Sequence, residues 1–217
     1  MSRIIAYIDG FNLYHAIDNI GKPDPRRPNA TAVRRPHLKW LNVWSLCESL
    51  AGPGEKLLEV NYFSAYATWL PAAHKRHIEY VKALQHFNVK CILGHFKEKT
   101  HRCRSCGDTW LGHEEKETDV HIASRIVIDA CENRFDRAIL ITADSDLSPA
   151  LEIVKSRFLA KQIFVVAPPG RFNHARSLKT GYALTSGRLE QHLLPELAKD
   201  ESGRLIFERP PSYRPPT

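Results

Sequence analysis

The sequence predicts an α/β fold, a mainly parallel five-stranded sheet with helices on both faces. Three observations carry this. Short apolar runs alternate with amphipathic stretches of helical period along most of the chain. The 217 residues are 43% hydrophobic and 25% charged, enough to bury one ordinary core. Two of the apolar runs, residues 4–8 and 138–141, break off in acids: Asp9 after the first, Asp144 and Asp146 after the second. A short apolar run closed by polar residues reads as a buried parallel strand. In such sheets, sites form outside the carboxyl ends of the strands.

The elements follow in order. Residues 4–8 are the first strand and 12–20 a short helix. Residues 21–36, rich in Pro, Arg and Asn, form a long basic loop with Arg26, Arg27, Arg34 and Arg35. That loop reads equally as a disordered insertion or as a basic flap that grips phosphates. Leu38, Leu41, Trp44, Leu46, Cys47 and Leu50 fall near helical spacing, and Gly52-Pro53-Gly54 ends the segment. Residues 57–66 are the second strand. Residues 71–87 are a helix with Pro71 at its start and Ile78, Val81, Leu84 and Phe87 on one face. Residues 89–96 are the third strand.

Residues 97–115 interrupt the alternation and hold a C-x-x-C pair. A helix over 119–131 follows, with Thr118 as N-cap and Val120, Ala123, Ile126, Val127 and Ala130 on its buried face. The strand at 138–141 leads into a helix over 147–159, capped by Asp146 or Ser148. Residues 162–167 are the fifth strand, closed by Pro168-Pro169-Gly170. Residues 171–186 are a mixed, basic segment with Arg171, and 188–197 a last amphipathic helix. The folded domain is thus expected over 1–200, with an insertion at 98–114. The Pro-rich residues 201–217 read as a disordered tail.

Bulk properties narrow the function. The formal charge is +7. A basic chain with acids gathered at strand ends fits a polyanionic substrate held near a metal-binding pocket. No apolar run approaches the roughly 20 residues of a membrane helix. The run at 4–8 is too short for a signal-peptide core, so a cytoplasmic protein without membrane contact is expected. Five cysteines, an odd number, argue against a disulfide framework. The chain has neither G-x-G-x-x-G nor a Walker loop, which weakens nucleotide-cofactor readings.

The acids carry the chemistry. Asp9, Asp119 in the first turn of its helix, and Asp144 with Asp146 are placed at one edge of the predicted sheet. Each alone is explained by a helix cap or the helix dipole. Crowded together, carboxylates repel unless a cation neutralises them, and hard oxygen ligands suit Mg²⁺ or Mn²⁺. Such a metal activates water and offsets the charge of an in-line phosphoryl displacement. Asn12, a short step from Asp9, is placed to orient a ligand or a phosphate.

Three stretches together resemble the NYN domain, a LabA-like branch of the PIN-like nucleases. They are YIDGFNLYH (residues 7–15), EEKETDVHIA (114–123) and ITADSDLSPAL (141–151). The resemblance covers about residues 3–197. It implies a PIN-like three-layer sandwich, a divalent-metal site and RNA cleavage. It implies Asp9, Asp119, Asp144 and Asp146 as metal ligands, and Asn12 and Thr142 as supporting polar groups. Lys116 would meet a phosphate, and Arg34, Arg35 and Arg171 would hold the RNA backbone.

The insertion reads KTHRCRSCGDTWLGH (residues 99–113). C-x-x-C-G is the form of a zinc knuckle, in which two thiolates share one ion. Cys103 and Cys106 would then bind structural Zn²⁺ with His113 and a fourth ligand, His101 or His95, with Cys91 a weaker choice. A reduced dithiol or a redox pair are the alternatives. The leading reading is a metal-dependent ribonuclease. The alternative is a non-catalytic RNA- or protein-binding module on the same fold. An aspartyl-phosphate hydrolase ranks low, because Asp9-Gly10-Phe11 lacks the second acid of its motif. Nothing in the sequence decides whether the chain forms a homodimer.

Overall fold

The computed structural model describes residues 1–22 and 33–216. Arg26 and Arg27 of the basic loop lie outside the described residues. Strand β1 (Ser2–Asp9) runs directly into helix α1 (Gly10–Asp18). A 3-10 turn (Pro36–Lys39) and the short helix α2 (Val43–Glu48) stand where the sequence suggests one longer helix. Then come β2 (Glu55–Ala65), α3 (Pro71–His86), β3 (Lys90–Arg102), β4 (Thr109–Lys116) and α4 (Thr118–Cys131). The second half holds β5 (Arg137–Ile141), a 3-10 turn (Ser145–Leu147), α5 (Ser148–Arg157) and β6 (Gln162–Ala167). A 3-10 turn (His174–Leu178), β7 (Tyr182–Ala183), α6 (Ser186–Glu190), β8 (Leu197–Lys199) and β9 (Leu205–Glu208) complete it.

The main sheet has seven strands, not five, in the order β4-β3-β2-β1-β5-β6-β7. All pairs are parallel except β3 with β4. The fold class is as expected; the strand count is corrected for two physical reasons. First, the apparent interruption at 97–115 is strand. β3 continues to Arg102, turns at the cysteines and returns as β4, paired from His95↔Lys116 to Arg102↔Thr109. Its charged and aromatic residues alternate on an exposed ribbon, so no apolar run marks it. Second, β7 is two residues long, below the reach of any periodicity.

The expected disordered tail is also built differently. β9 pairs antiparallel with β8, and Phe207 is fully buried against Trp40, their ring centroids 5.9 Å apart. Leu205, Ile206 and Phe207 supply the strand that proline content conceals. The last helix is only α6, capped by the Thr185 hydroxyl, which accepts from Arg188 N–H at 3.2 Å.

β1 lies at the centre of the sheet and is buried on both faces. Ile4, Ala6 and Ile8 join α1, α2 and α3 in one core. Ile5 and Tyr7 join α4 and α5 in the other. Strand alternation thus assigns every β1 side chain to a layer. From β1 the chain proceeds outward through β2 and β3. It returns through α4 to β5 on the other side of β1, and continues outward through β6. β1 and β5 therefore flank the topological switch point, the place at the carboxyl edge where sites of such sheets form.

Candidate active site at the carboxyl edge

Asp9 ends β1 and faces the α4 layer. It is buried, and both carboxylate oxygens are engaged. Oδ1 accepts from Asn12 N–H at 2.9 Å, capping α1, and Oδ2 accepts from the Thr142 hydroxyl at 2.8 Å. Thr142 follows β5 and is fully buried. Its own oxygen accepts from Asp144 N–H at 3.0 Å. Asp144 Oδ1 then accepts from Asp146 N–H at 3.0 Å, starting the turn before α5. One chain of hydrogen bonds thus joins the ends of the two central strands. Neither Asp146 nor Ser148 caps the helix; Asp144 caps the turn instead.

Asp119 comes from α4, whose start is set by Glu115 and not by a Thr118 cap. The Glu115 carboxylate accepts from both the Thr118 amide and its hydroxyl. Glu117 takes the left-handed conformation at φ 75° to turn the strand into the helix. Asp119 then projects from the first turn toward Asp9 and Asp144.

The charges confirm the crowding. Burial lifts the Asp9 carboxyl to about 7, against the pull of the Asn12 amide and Thr142 hydroxyl, and Asp119 and Asp144 add to it. Burial, then repulsion from Asp144, Glu115 and Asp146, lifts Asp119 to about 6. No described Lys or Arg side chain forms an ion pair with Asp9, Asp119, Asp144 or Asp146. The Asn12 Oδ1 atom is buried and has no hydrogen-bond partner. An acceptor left empty beside crowded acids suits a positive ligand or a donor. Among the described residues, no three His, Cys, Asp or Glu side chains converge on a single ion position.

The basic candidates do not contact these acids. Arg34 pairs with Asp18 at 3.4 Å and Arg35 with Glu190 at 3.3 Å, both part-exposed. Lys116 pairs with Glu114 at 2.9 Å. Arg171 lies close enough to His15 to bear on its imidazole. Glu115, the residue that positions α4, was not singled out by sequence; only its place in the EEK stretch hinted at it.

The zinc-knuckle expectation is not borne out. Cys103 and Cys106 are free thiols at the hairpin tip. His113 pairs with Glu98, four positions down from Arg102↔Thr109, or about 13 Å along the strand. Its ring stacks on Trp69 with centroids 3.7 Å apart. The His101 ring stacks on Trp110 and lies over Gly112, toward the hairpin base and away from the cysteines. His95 faces Glu117 at 3.1 Å. The cysteines sit in the turn, where the Gly107 amide donates to the Cys103 carbonyl at 3.1 Å, while ladder pairing carries His113 and His95 down the ribbon away from them.

The fold is an α/β domain with a mostly parallel sheet and acids gathered at its switch point. The NYN domain family matches residues 3–182, and the chain belongs to that family, part of the PIN-like superfamily. A relative from Pseudomonas putida, named 6-hydroxy-3-succinoylpyridine 3-monooxygenase, is 29% identical over 188 residues. That match covers 84% of this chain and 57% of the relative, so the chain spans little more than half of it. A solved structure of a Vibrio parahaemolyticus protein of unknown function overlays at TM-score 0.48 with 19% identity, covering 89% of this chain and 96% of that one. Among the described residues, no helix is long and apolar enough to cross a membrane.

Proposed function

We propose that this protein is a metal-dependent ribonuclease that hydrolyses RNA phosphodiester bonds at the Asp9, Asp119, Asp144 and Asp146 edge. The observation that carries the reading is the unpaired acidic cluster at the switch point of an NYN domain. Asp9, Asp119 and Asp144, with the Asn12 amide oxygen, would hold Mg²⁺ or Mn²⁺, as the hardness of the donors and the empty Asn12 acceptor favour. When bound, the cation supplies an activated water and charge stabilisation for in-line displacement. Thr142 aims Asp9 by donating to it and offsets part of the rise that burial imposes on its carboxyl. Asp146 and Asp144 lie at the more exposed side, where a carboxylate can take a proton from water. Arg34, Arg35, Arg171 and Lys116 are the side chains that would meet the phosphates of a polyanionic strand. The cytoplasm is the expected compartment, and a homodimer would widen the basic rim.

The test is cleavage of a labelled RNA panel with Mg²⁺, Mn²⁺ or EDTA, with Asp144→Asn run in parallel. Metal-dependent cutting that falls by about 10²-fold or more in the variant supports the reading. Cutting that survives EDTA or the substitution overturns it. RNA retained by both proteins without turnover points to the alternative, a non-catalytic binding module.

A further inference from the structure

On the opposite face of β1 from the acids lies a cavity of about 510 Å³. One turn of backbone separates the two. Asp9 faces α4, while the next two residues, Gly10 and Phe11, line the cavity. Gly10 leaves that wall as bare backbone, since a Cβ there would stand 2.4 Å from the Tyr62 ring. The far wall is aromatic. Trp69 stacks on His113 at 3.7 Å with an interplanar angle of 8°, and Phe96 meets the Trp69 edge at 4.7 Å. Phe11 faces Phe96 at 6.1 Å.

Two cations reach this space. Lys39 is already bound to Asp18 and hydrogen-bonds the Tyr14 hydroxyl, so its charge is met. Arg76, from α3, is different. It lines the cavity, its Nε is buried without a partner, and no described carboxylate forms an ion pair with it. The guanidinium bears on the Tyr213 hydroxyl but meets no described carboxylate, so its charge is uncompensated and its Nε donor unused among aromatic rings. A planar fork of this kind selects anions, and a partly desolvated one does so more strongly. The flat aromatic walls select a ring. The volume lies within the range of small-ligand sites.

We propose that this cavity binds one planar aromatic ring carrying an anionic group, the ring against Trp69 and Phe96 and the anion at Arg76. Two sources share that chemistry. One is a nucleotide of a single strand, its base in the cavity while the backbone crosses to the Asp9 edge; this source rests on the nuclease reading. The other is a free aromatic carboxylate, which does not.

The test is equilibrium binding, by tryptophan fluorescence and calorimetry, with four probes: adenosine 5′-monophosphate, pyridine-3-carboxylate, adenosine and inorganic phosphate. At least one of the two ring-bearing anions binds about tenfold more tightly than adenosine or phosphate. Arg76→Gln and Trp69→Leu each weaken that binding by about tenfold, with circular dichroism unchanged. Preference for the nucleotide, with the RNA KM raised in Arg76→Gln more than kcat is lowered, assigns the nucleotide source. Preference for the carboxylate assigns the free acid. Phosphate binding as tightly as the ring-bearing anions, no binding by any probe, or affinity unchanged in Arg76→Gln overturns the proposal. Asp144→Asn binds the probes as the unsubstituted protein does, so loss of cleavage and loss of this site are separately visible.

Discussion

The two ends of α4 hold acids in opposite circumstances. At its amino end Asp119 faces Asp9 and Asp144 with no basic partner. At its carboxyl end Asp129 is fully buried and saturated. Tyr7 donates to it at 2.7 Å, Arg125 at 3.1 Å and Arg134 at 2.5 Å. Arg134 also reaches Glu59 at 2.9 Å, and Lys90 bonds the same carboxylate. Nearby, Arg3 pairs with Asp136 at 2.8 Å and Arg137 with Glu55 at 2.6 Å. The amino edge of the sheet thus neutralises every buried acid within the chain, while the carboxyl edge leaves its acids to be neutralised from outside. Paired acids hold a fold; crowded unpaired ones raise its energy and persist where a ligand offsets the cost. The difference separates carboxylates paired within the described residues from those that the proposed function assigns to a cation.

That contrast can be broken by substitution. Asp129→Ala, which leaves the buried Tyr7 hydroxyl without its acceptor and Arg125 and Arg134 with Glu59 alone, is expected to cost about 2–4 kcal/mol in urea denaturation. A loss below about 1 kcal/mol would mean the network is solvated and merely decorative. Asp119→Asn acts in the reverse sense. It removes repulsion at a half-buried acid, so stability without added metal rises by about 1 kcal/mol or stays level. A clear destabilisation would show that Asp119 has an internal partner after all.

A smaller effect sharpens the rule at the surface. Burial works to raise Asp18, but hydrogen bonds from Lys22 and Lys39 override it and hold the carboxyl at about 2. A depressed carboxyl stabilises the fold above its unfolded value of roughly 3.9, and that stability fades as pH falls through the folded value. Asp18→Asn should therefore cost about 1 kcal/mol near neutral pH, and the difference should vanish in acid near pH 2. A pH-independent difference would assign the loss to packing of Lys39 against Tyr14 instead of to charge.

The same two edges explain what the sequence revealed. The carboxyl edge was legible because β1 and β5 are unbroken apolar runs that stop at an acid. Asp9, Asn12, Thr142 and Asp144 indeed meet there in one hydrogen-bonded chain. The amino edge was silent. Asp129 and Glu59 sit inside helix and strand, where nothing local distinguishes a buried acid from a solvated one; Arg125 and Arg134 flank Asp129 closely, as basic residues flank many exposed acids, while Tyr7 and the arginines of Glu59 are distant in sequence. The β3–β4 hairpin was misread for a related reason. C-x-x-C-G signals a metal by local pattern, whereas ladder pairing over many residues decides where His101 and His113 point. The tail erred toward disorder because four prolines outweighed one four-residue strand whose partner, β8, was itself too short to see. The cavity was invisible because Phe11, Trp69, Arg76 and Phe96 come from four elements and share no motif.

The central claim is that the unpaired acids stand ready for a cation. Calorimetric titration of Mn²⁺ into the unsubstituted protein, Asp144→Asn and Asp136→Asn tests it most directly. The account predicts saturable binding in the first, loss by about tenfold or more in Asp144→Asn, and no change in Asp136→Asn, whose acid is already paired with Arg3. Absence of binding in the unsubstituted protein, or equal affinity in Asp144→Asn, would contradict it.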